Sequence, residues 1–199
     1  MKFDGYAEIE DLVGCDGSFM HTPDGEYSLN FVSQFMYDAL RTAADGKPVI
    51  DSEYHSDDPQ EDTEWARTLT WEPILHGVGS LSYWVWNAAK RLKFGAMLLE
   101  DRWPEAAHER LKRAVFEIMT LTDVLTPQEL DAEVGLFYSH STIYTYPLDE
   151  VKYIRRENSP TVKMTGYHLR DCMNFYRAVL FSGLQPGIPT EKLALEGKL

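Results

Sequence analysis

Short apolar runs alternate with helical stripes along most of the chain. LVGCD, at residues 12–16, reads as a short buried strand. A helix is expected from about residue 28, with Leu29, Val32, Met36, Ala39 and Leu40 on one face and Gly46 just past its end. PVID, at residues 48–51, is the next strand, entered through a tight turn at Asp45 and Gly46. YHSDDPQED, at 54–62, is polar and reads as a loop, followed by a helix through Trp65, Leu69 and Ile74. GSLSYWVW, at 79–86, is a third strand, aromatic and β-branched towards its end. Pro104 in a first turn, with Glu105 and Glu109 nearby, opens a long helix whose stripe is Leu111, Ala114, Val115, Ile118, Leu121 and Leu125. Strand–helix–strand–helix–strand at this spacing predicts βαβ units and a parallel sheet.

A second block begins near Thr126 and Pro127. VGLFYS, at 134–139, reads as a strand and 144–160 as irregular. Leu169, Cys172, Met173, Tyr176, Val179 and Leu180 form a helical stripe that stops at Gly183, and 187–190 is a short extended segment. That is one βαβ unit of an open sheet. Each block is too small to close on itself, because its strands leave edges that a parallel sheet normally covers. The expectation is a chain cut from a longer one at both ends, or one that closes by oligomerising.

Composition changes the picture in one respect. The net charge is −13, and residues 1–65 hold 16 acids against three bases, Lys2, Arg41 and Lys47. A chain of that sign is not expected to bind nucleic acid or an anionic membrane, whose phosphates are held by basic patches. A charge run is commonly just a solvated face, although acids mixed with Trp, Tyr and His also suit pockets for neutral polar ligands such as sugars. No apolar stretch is long enough to span a bilayer. The N-terminal MKFDGYAEIED lacks the apolar core of a secretory signal, which leans the compartment to the cytoplasm. Cys15 and Cys172 are too few and too far apart for a disulfide framework or a cysteine metal site. The six histidines show no HExxH-like spacing, so neither a metal nor a cofactor is expected, and a metal set from His55, Asp57 and Asp58 is disfavoured.

Candidate chemistry concentrates on two strands. Glu53 directly follows PVID, and a carboxylate at the C-terminal end of a parallel strand can act as nucleophile or base. By itself it is also what a polar residue opening an acidic loop would look like. In SLSYWVW, alternation puts Ser82, Trp84 and Trp86 on one face, where a tryptophan offers a flat plate for a sugar ring or simply plugs the core. His55 is placed to bond substrate or loop, and Asp16 and Asp51 to orient site groups or cap a turn.

PVIDSE with its terminal carboxylate, an intervening helix and an aromatic strand ending in Trp together resemble strands seven and eight of clan A glycoside hydrolases. The pattern is most similar to the β-galactosidases of family 42. LVGCDGSF matches the preceding strand six, and VGLFYS with YRAVLFSGLQPGIPTEK resembles that family's next domain. The resemblance runs in order over nearly the whole chain. It implies an α/β chain with the last three βα units of a (β/α)8 TIM barrel at 1–125. Residues 126–199 would begin a flavodoxin-like, class I amidotransferase-like trimerisation domain, making the full enzyme a homo-trimer. It further implies retaining hydrolysis of a β-glycoside, with Glu53 as nucleophile, Trp86 and Trp84 as the sugar platform, and His55 and Asp16 near the substrate. The family's acid/base Glu stands in an Asn-Glu pair, a dipeptide this sequence lacks, so these residues alone are not expected to turn over. The alternative is a non-catalytic carbohydrate-binding or assembly remnant of such an enzyme.

Overall fold

A computed structural model of the chain describes residues 3–16, 18–19, 31–56, 64–84, 105–125, 132–145, 152–156, 159–163 and 167–198. In chain order the elements are α1 (Phe3–Ile9), β1 (Val13–Cys15), β2 (Ser18–Phe19), α2 (Phe31–Ala44), β3 (Val49–Ser56), α3 (Glu64–Leu75), β4 (Val78–Trp84), α4 (Glu105–Thr120) and α5 (Thr122–Leu125). Then follow β5 (Val134–Gly135), α6 (His140–Thr145), β6 (Lys152–Arg156), β7 (Ser159–Lys163), α7 (Tyr167–Phe181), β8 (Pro186–Gly187) and α8 (Glu191–Leu195).

The fold is mixed α/β with parallel sheets. β3 is central: β1 pairs with its first half and β2 with its last residues on one side, β4 lies along the other, and all of these pairings are parallel. The three strands read from LVGCD, PVID and GSLSYWVW are therefore parallel neighbours in that order. β5 and β8 form a second parallel pair, with α7 in the crossover between them. β6 and β7 form an antiparallel hairpin that begins within and runs just past the segment 144–160, which the sequence pattern reads as irregular. Only Val134–Gly135 of VGLFYS is strand, extended by a single parallel bridge from Tyr138 to Thr190.

Register explains which face of the first sheet is covered. Val13, Val49 and Val78 are aligned and buried, as are Cys15 and Asp51, and Leu81 beside them packs on the same core. α2 and α3 lie on this side. The phenol of Tyr37 on α2 donates to Asp51, and Thr70 on α3 shares a hydrogen bond with Tyr83 of β4. On the opposite side the aligned positions are Gly14, Ile50 and Ser80, followed by Ser52 and Ser82; all three serines are exposed. Among the described residues, helices cover one face of this sheet only.

α2 is buried almost all round, which is what lets one core run through the molecule. Phe35, Ala39, Leu40 and Ala43 are buried on it, and so are Tyr37 and Asp38. The same cluster takes in Phe3, Val13, Val49 and Val78 and also Tyr138, Cys172, Tyr176 and Ile188 from the C-terminal half. Burial of this apolar surface supplies most of the driving force for folding. The helix stops where Asp45 (φ 52°) and Gly46 (φ 85°) turn left-handed, a conformation that glycine adopts at no steric cost.

Candidate functional site

The site residues expected from the sequence converge on the later half of β3, but not for the reason the sequence suggests. Glu53 does not follow the strand. β3 runs on to Ser56, and Tyr54, placed in a loop by its polar surroundings, is 2% exposed inside it. In an unbroken strand, residues two apart share a face. Glu53 would then point with Asp51 into the helix layer, where an unpaired carboxylate is costly. The register avoids this. Asp51 pairs with Leu81 and Tyr54 with Tyr83, so three steps on β3 match two on β4. That is a β-bulge, in which Ser52 and Glu53 together oppose Ser82. Asp51 and Tyr54 both stay buried, and the register sets Glu53, half-buried, with Ser52 opposite the exposed Ser82.

The bulge is held from both directions. The Glu53 backbone N–H donates to Asp51 Oδ1 at 3.2 Å, while Asp51 Oδ2 accepts from the Tyr37 phenol at 2.5 Å. Ser52 Oγ donates to Asp16 Oδ1 at 3.1 Å and lies 3.4 Å from the Cys15 carbonyl oxygen. Asp16, exposed just beyond β1, is thus tied to the residue next to Glu53. One step further along, the register sets His55 opposite both Trp84 and Ser18. Trp86 lies outside the described residues, as do the side chains of His55 and Trp84. The structure therefore brings Asp16, Ser52 and Glu53 to one end of the sheet, with the backbone of His55 and Trp84 beside them.

The electrostatics behind the bulge are those of a sealed layer. Burial, then the charges of Asp51 and Asp16, pushes the Cys15 thiol up to about 12, so it is a protonated packing group at neutral pH and not a nucleophile. Burial followed by Asp51 pushes the Tyr37 phenol far above its ordinary value, leaving it a permanent donor. Burial likewise raises Tyr83 to about 12 and Tyr54 well above its usual range. Tyr37 and Ser52 are neighbours of Glu53 that the sequence pattern does not single out, whereas Asp51, expected there to orient site groups or cap a turn, is buried beneath the bulge.

Two other polar clusters are structural in design. Asp38, fully buried on α2, accepts from the Tyr176 phenol at 2.5 Å and sits 3.1 Å from His76 Nδ1 and 3.0 Å from Arg41 Nη2. Near α6, Ser139 Oγ donates to Glu191 Oε1 at 2.6 Å and accepts from Thr142 N–H at 3.0 Å, Ser141 N–H and Oγ both turn to Glu191, and Ser139 N–H donates to His168 Nε2 at 3.0 Å. Those bonds occupy the donors at the start of α6, which makes this a cap. Among the described residues no group of three His, Cys, Asp or Glu side chains could hold a metal ion. No described helix is long and apolar enough to cross a membrane.

No protein-family model matches this chain, and no curated protein matches it as a relative.

Proposed function

We propose that this chain is part of a retaining β-glycosidase with Glu53 as its nucleophile. The observation that carries the reading is the bulge at Ser52–Glu53, which turns one carboxylate out of the covered layer onto the open face in the later half of a parallel strand. Bulges beside active sites are a known way to re-aim a side chain. Parallel α/β barrels carry their catalytic groups at the C-terminal ends of strands. In this reading β1, β3 and β4 are the last three strands of such a barrel, and their open face is its lumen. Residues 126–199 then begin a flavodoxin-like assembly domain that makes the enzyme a trimer.

Glu53 attacks the anomeric carbon and forms a covalent glycosyl ester, and water then hydrolyses it. A second carboxylate about 5 Å away must protonate the leaving oxygen and then activate that water. The family pattern puts it in an Asn-Glu pair that this chain does not contain, so barrel units outside these residues supply it. The family resemblance assigns Trp84 and Trp86 to the sugar platform, and Asp16 and His55 are the candidates to bond its hydroxyls. The open face is polar and the surrounding sequence acidic, which suits a neutral sugar.

The test is a mechanism-based label. A 2-deoxy-2-fluoro-β-glycoside with a dinitrophenolate leaving group needs no acid help to leave and stalls as the ester. In the full-length protein, peptide mapping should find that label on Glu53, and Glu53→Gln should abolish it. A label on any other carboxylate ends the assignment. No label, with sugar binding retained, favours a non-catalytic carbohydrate-binding role.

A further inference from the structure

Asp51 is 1% exposed and stands two residues before Glu53. A carboxylate in that position is expensive unless its oxygens are bonded. Each has a named donor of a different origin. Oδ2 takes the phenol of Tyr37, itself 0% exposed in the middle of α2, and Oδ1 takes the backbone N–H of Glu53. The chain of contacts runs from the most buried helix, through one carboxylate, to the peptide group that carries the candidate nucleophile. The hydrogen bond to Glu53 lies inside the bulge, where the partner strand offers one residue against two. A bulge without such a tie slips easily, and a slip by one residue turns Glu53 towards the helices.

We propose that Asp51, held by Tyr37, is the positioning residue that fixes the bulge and with it the aim of Glu53. Asp51 never touches substrate. It acts through the Glu53 amide, so that the carboxylate stays on the open face in the geometry needed for attack. This rests on Glu53 being the nucleophile. Three more groups face Asp51 besides the two it bonds: the Cys15 thiol of β1, the Tyr83 phenol of β4 and the Tyr54 phenol of its own strand, each raised by its charge. All stay protonated at neutral pH, so the tie is made by neutral donors.

The test replaces the buried pair by apolar groups of similar shape, a change that proteins often tolerate without loss of stability. In Tyr37→Phe/Asp51→Leu the melt should stay near that of the parent. Amide exchange at Glu53 should speed up at least tenfold, and the rate of trapping by the fluoro-glycoside should fall about 100-fold, as a displacement near 1 Å can cause. The concentration of glycoside giving half-maximal trapping should stay unchanged, a split that mere destabilisation would not produce. Asp51→Asn keeps an acceptor for the Glu53 N–H and should stay within a few-fold of the parent. If the double variant does not fold, Tyr37→Phe and Asp51→Asn provide the same comparison. Unchanged exchange at Glu53, or unchanged trapping in a parent labelled at Glu53, overturns the proposal alone. A parent labelled elsewhere overturns the Glu53 reading and the proposal with it.

Discussion

Tyr176→Phe removes one hydroxyl and nothing else, yet it should be among the more damaging single changes outside the candidate site. Its phenol donates to Asp38 Oδ2 across 2.5 Å, joining α7 to α2. Asp38 is 0% exposed, so no water can replace the lost donor. The carboxylate keeps His76 at 3.1 Å on the same oxygen, and Arg41 at 3.0 Å from Oδ1 as a charge partner without an aligned hydrogen bond. Arg41 is itself shared, since its Nη2 also reaches the Pro186 carbonyl at 3.2 Å. A hydrogen bond to a buried charge contributes about 1.5–3 kcal/mol, and the full burial here puts the loss near the upper end. For a protein of this size that lowers Tm by roughly 6–12 °C. Removing the carboxylate instead, in Asp38→Ala, strands the Arg41 and Tyr176 groups and should cost about 3–5 kcal/mol. The assay is urea unfolding followed by far-UV and near-UV signals, with Asp38→Asn completing a double-mutant cycle. The two groups should couple by more than about 0.5 kcal/mol. A Tyr176→Phe midpoint within error of the parent, or additive losses, would refute the claim that this bond ties α2 to α7.

Two further outcomes follow from single groups. The Cys15 thiol is raised to about 12 from 9.0 and the phenols of Tyr37, Tyr54 and Tyr176 are raised further, so the folded state holds these protons after the unfolded chain has lost them. Stability should therefore fall as pH rises from about 9, the thiol's contribution levelling off near 12, and Cys15→Ala should soften that fall in urea melts run at pH 7, 9 and 10.5. At Gly77, φ is +86° and an added Cβ would meet Arg41 Cδ at 3.0 Å. Gly77→Ala should cost about 1–2 kcal/mol from the left-handed backbone, read as a lower midpoint; a neutral change would mean that this turn relaxes freely.

The parallel order of β1, β3 and β4 is legible because each strand is a short apolar run bounded by turn residues, and runs of that kind separated by helices pair in only a few ways. The stripe of α2 is legible for the same reason: Ala39 and Leu40 are fully buried as the spacing requires. What escapes is anything that depends on tertiary partners. Asp38 and Asp51 are two of the 16 acids in the first third, and nothing in a charge count separates them from a solvated run. They are buried because Tyr37 and Tyr176 meet them from other elements. The bulge is silent because a strand's period is read by alternation, and the extra residue looks like the strand's end. That is why Glu53 is placed after β3 by sequence and inside it by structure. The β6–β7 hairpin is missed because KYIRR and SPTVK show little alternation and carry a proline.

The face of the first sheet that the described helices leave uncovered bears on two architectures open to parallel βαβ units, a doubly wound sheet and a barrel. In a doubly wound sheet, helices cover both faces and strands read as continuous apolar runs. β4 reads VGSLSYW, with serine at both positions aligned to the open side, and β3 offers Ile50, then Ser52 and Glu53. A helix laid over that surface would bury two serine hydroxyls of β4, the Ser52–Asp16 pair and the Glu53 carboxylate, each needing a partner that an apolar helix face does not supply. A sheet that curls towards its open face has no such difficulty. In the proposed barrel Ile50 and Gly14 would fill the lower layer, the polar groups would gather in the upper one, and the bulge would supply local curvature. The same residue that relieves the burial problem is the one whose carboxylate would face the lumen of the proposed barrel. The barrel reading and the Glu53 reading are therefore a single claim about β3, and the peptide that carries the glycosyl label tests both.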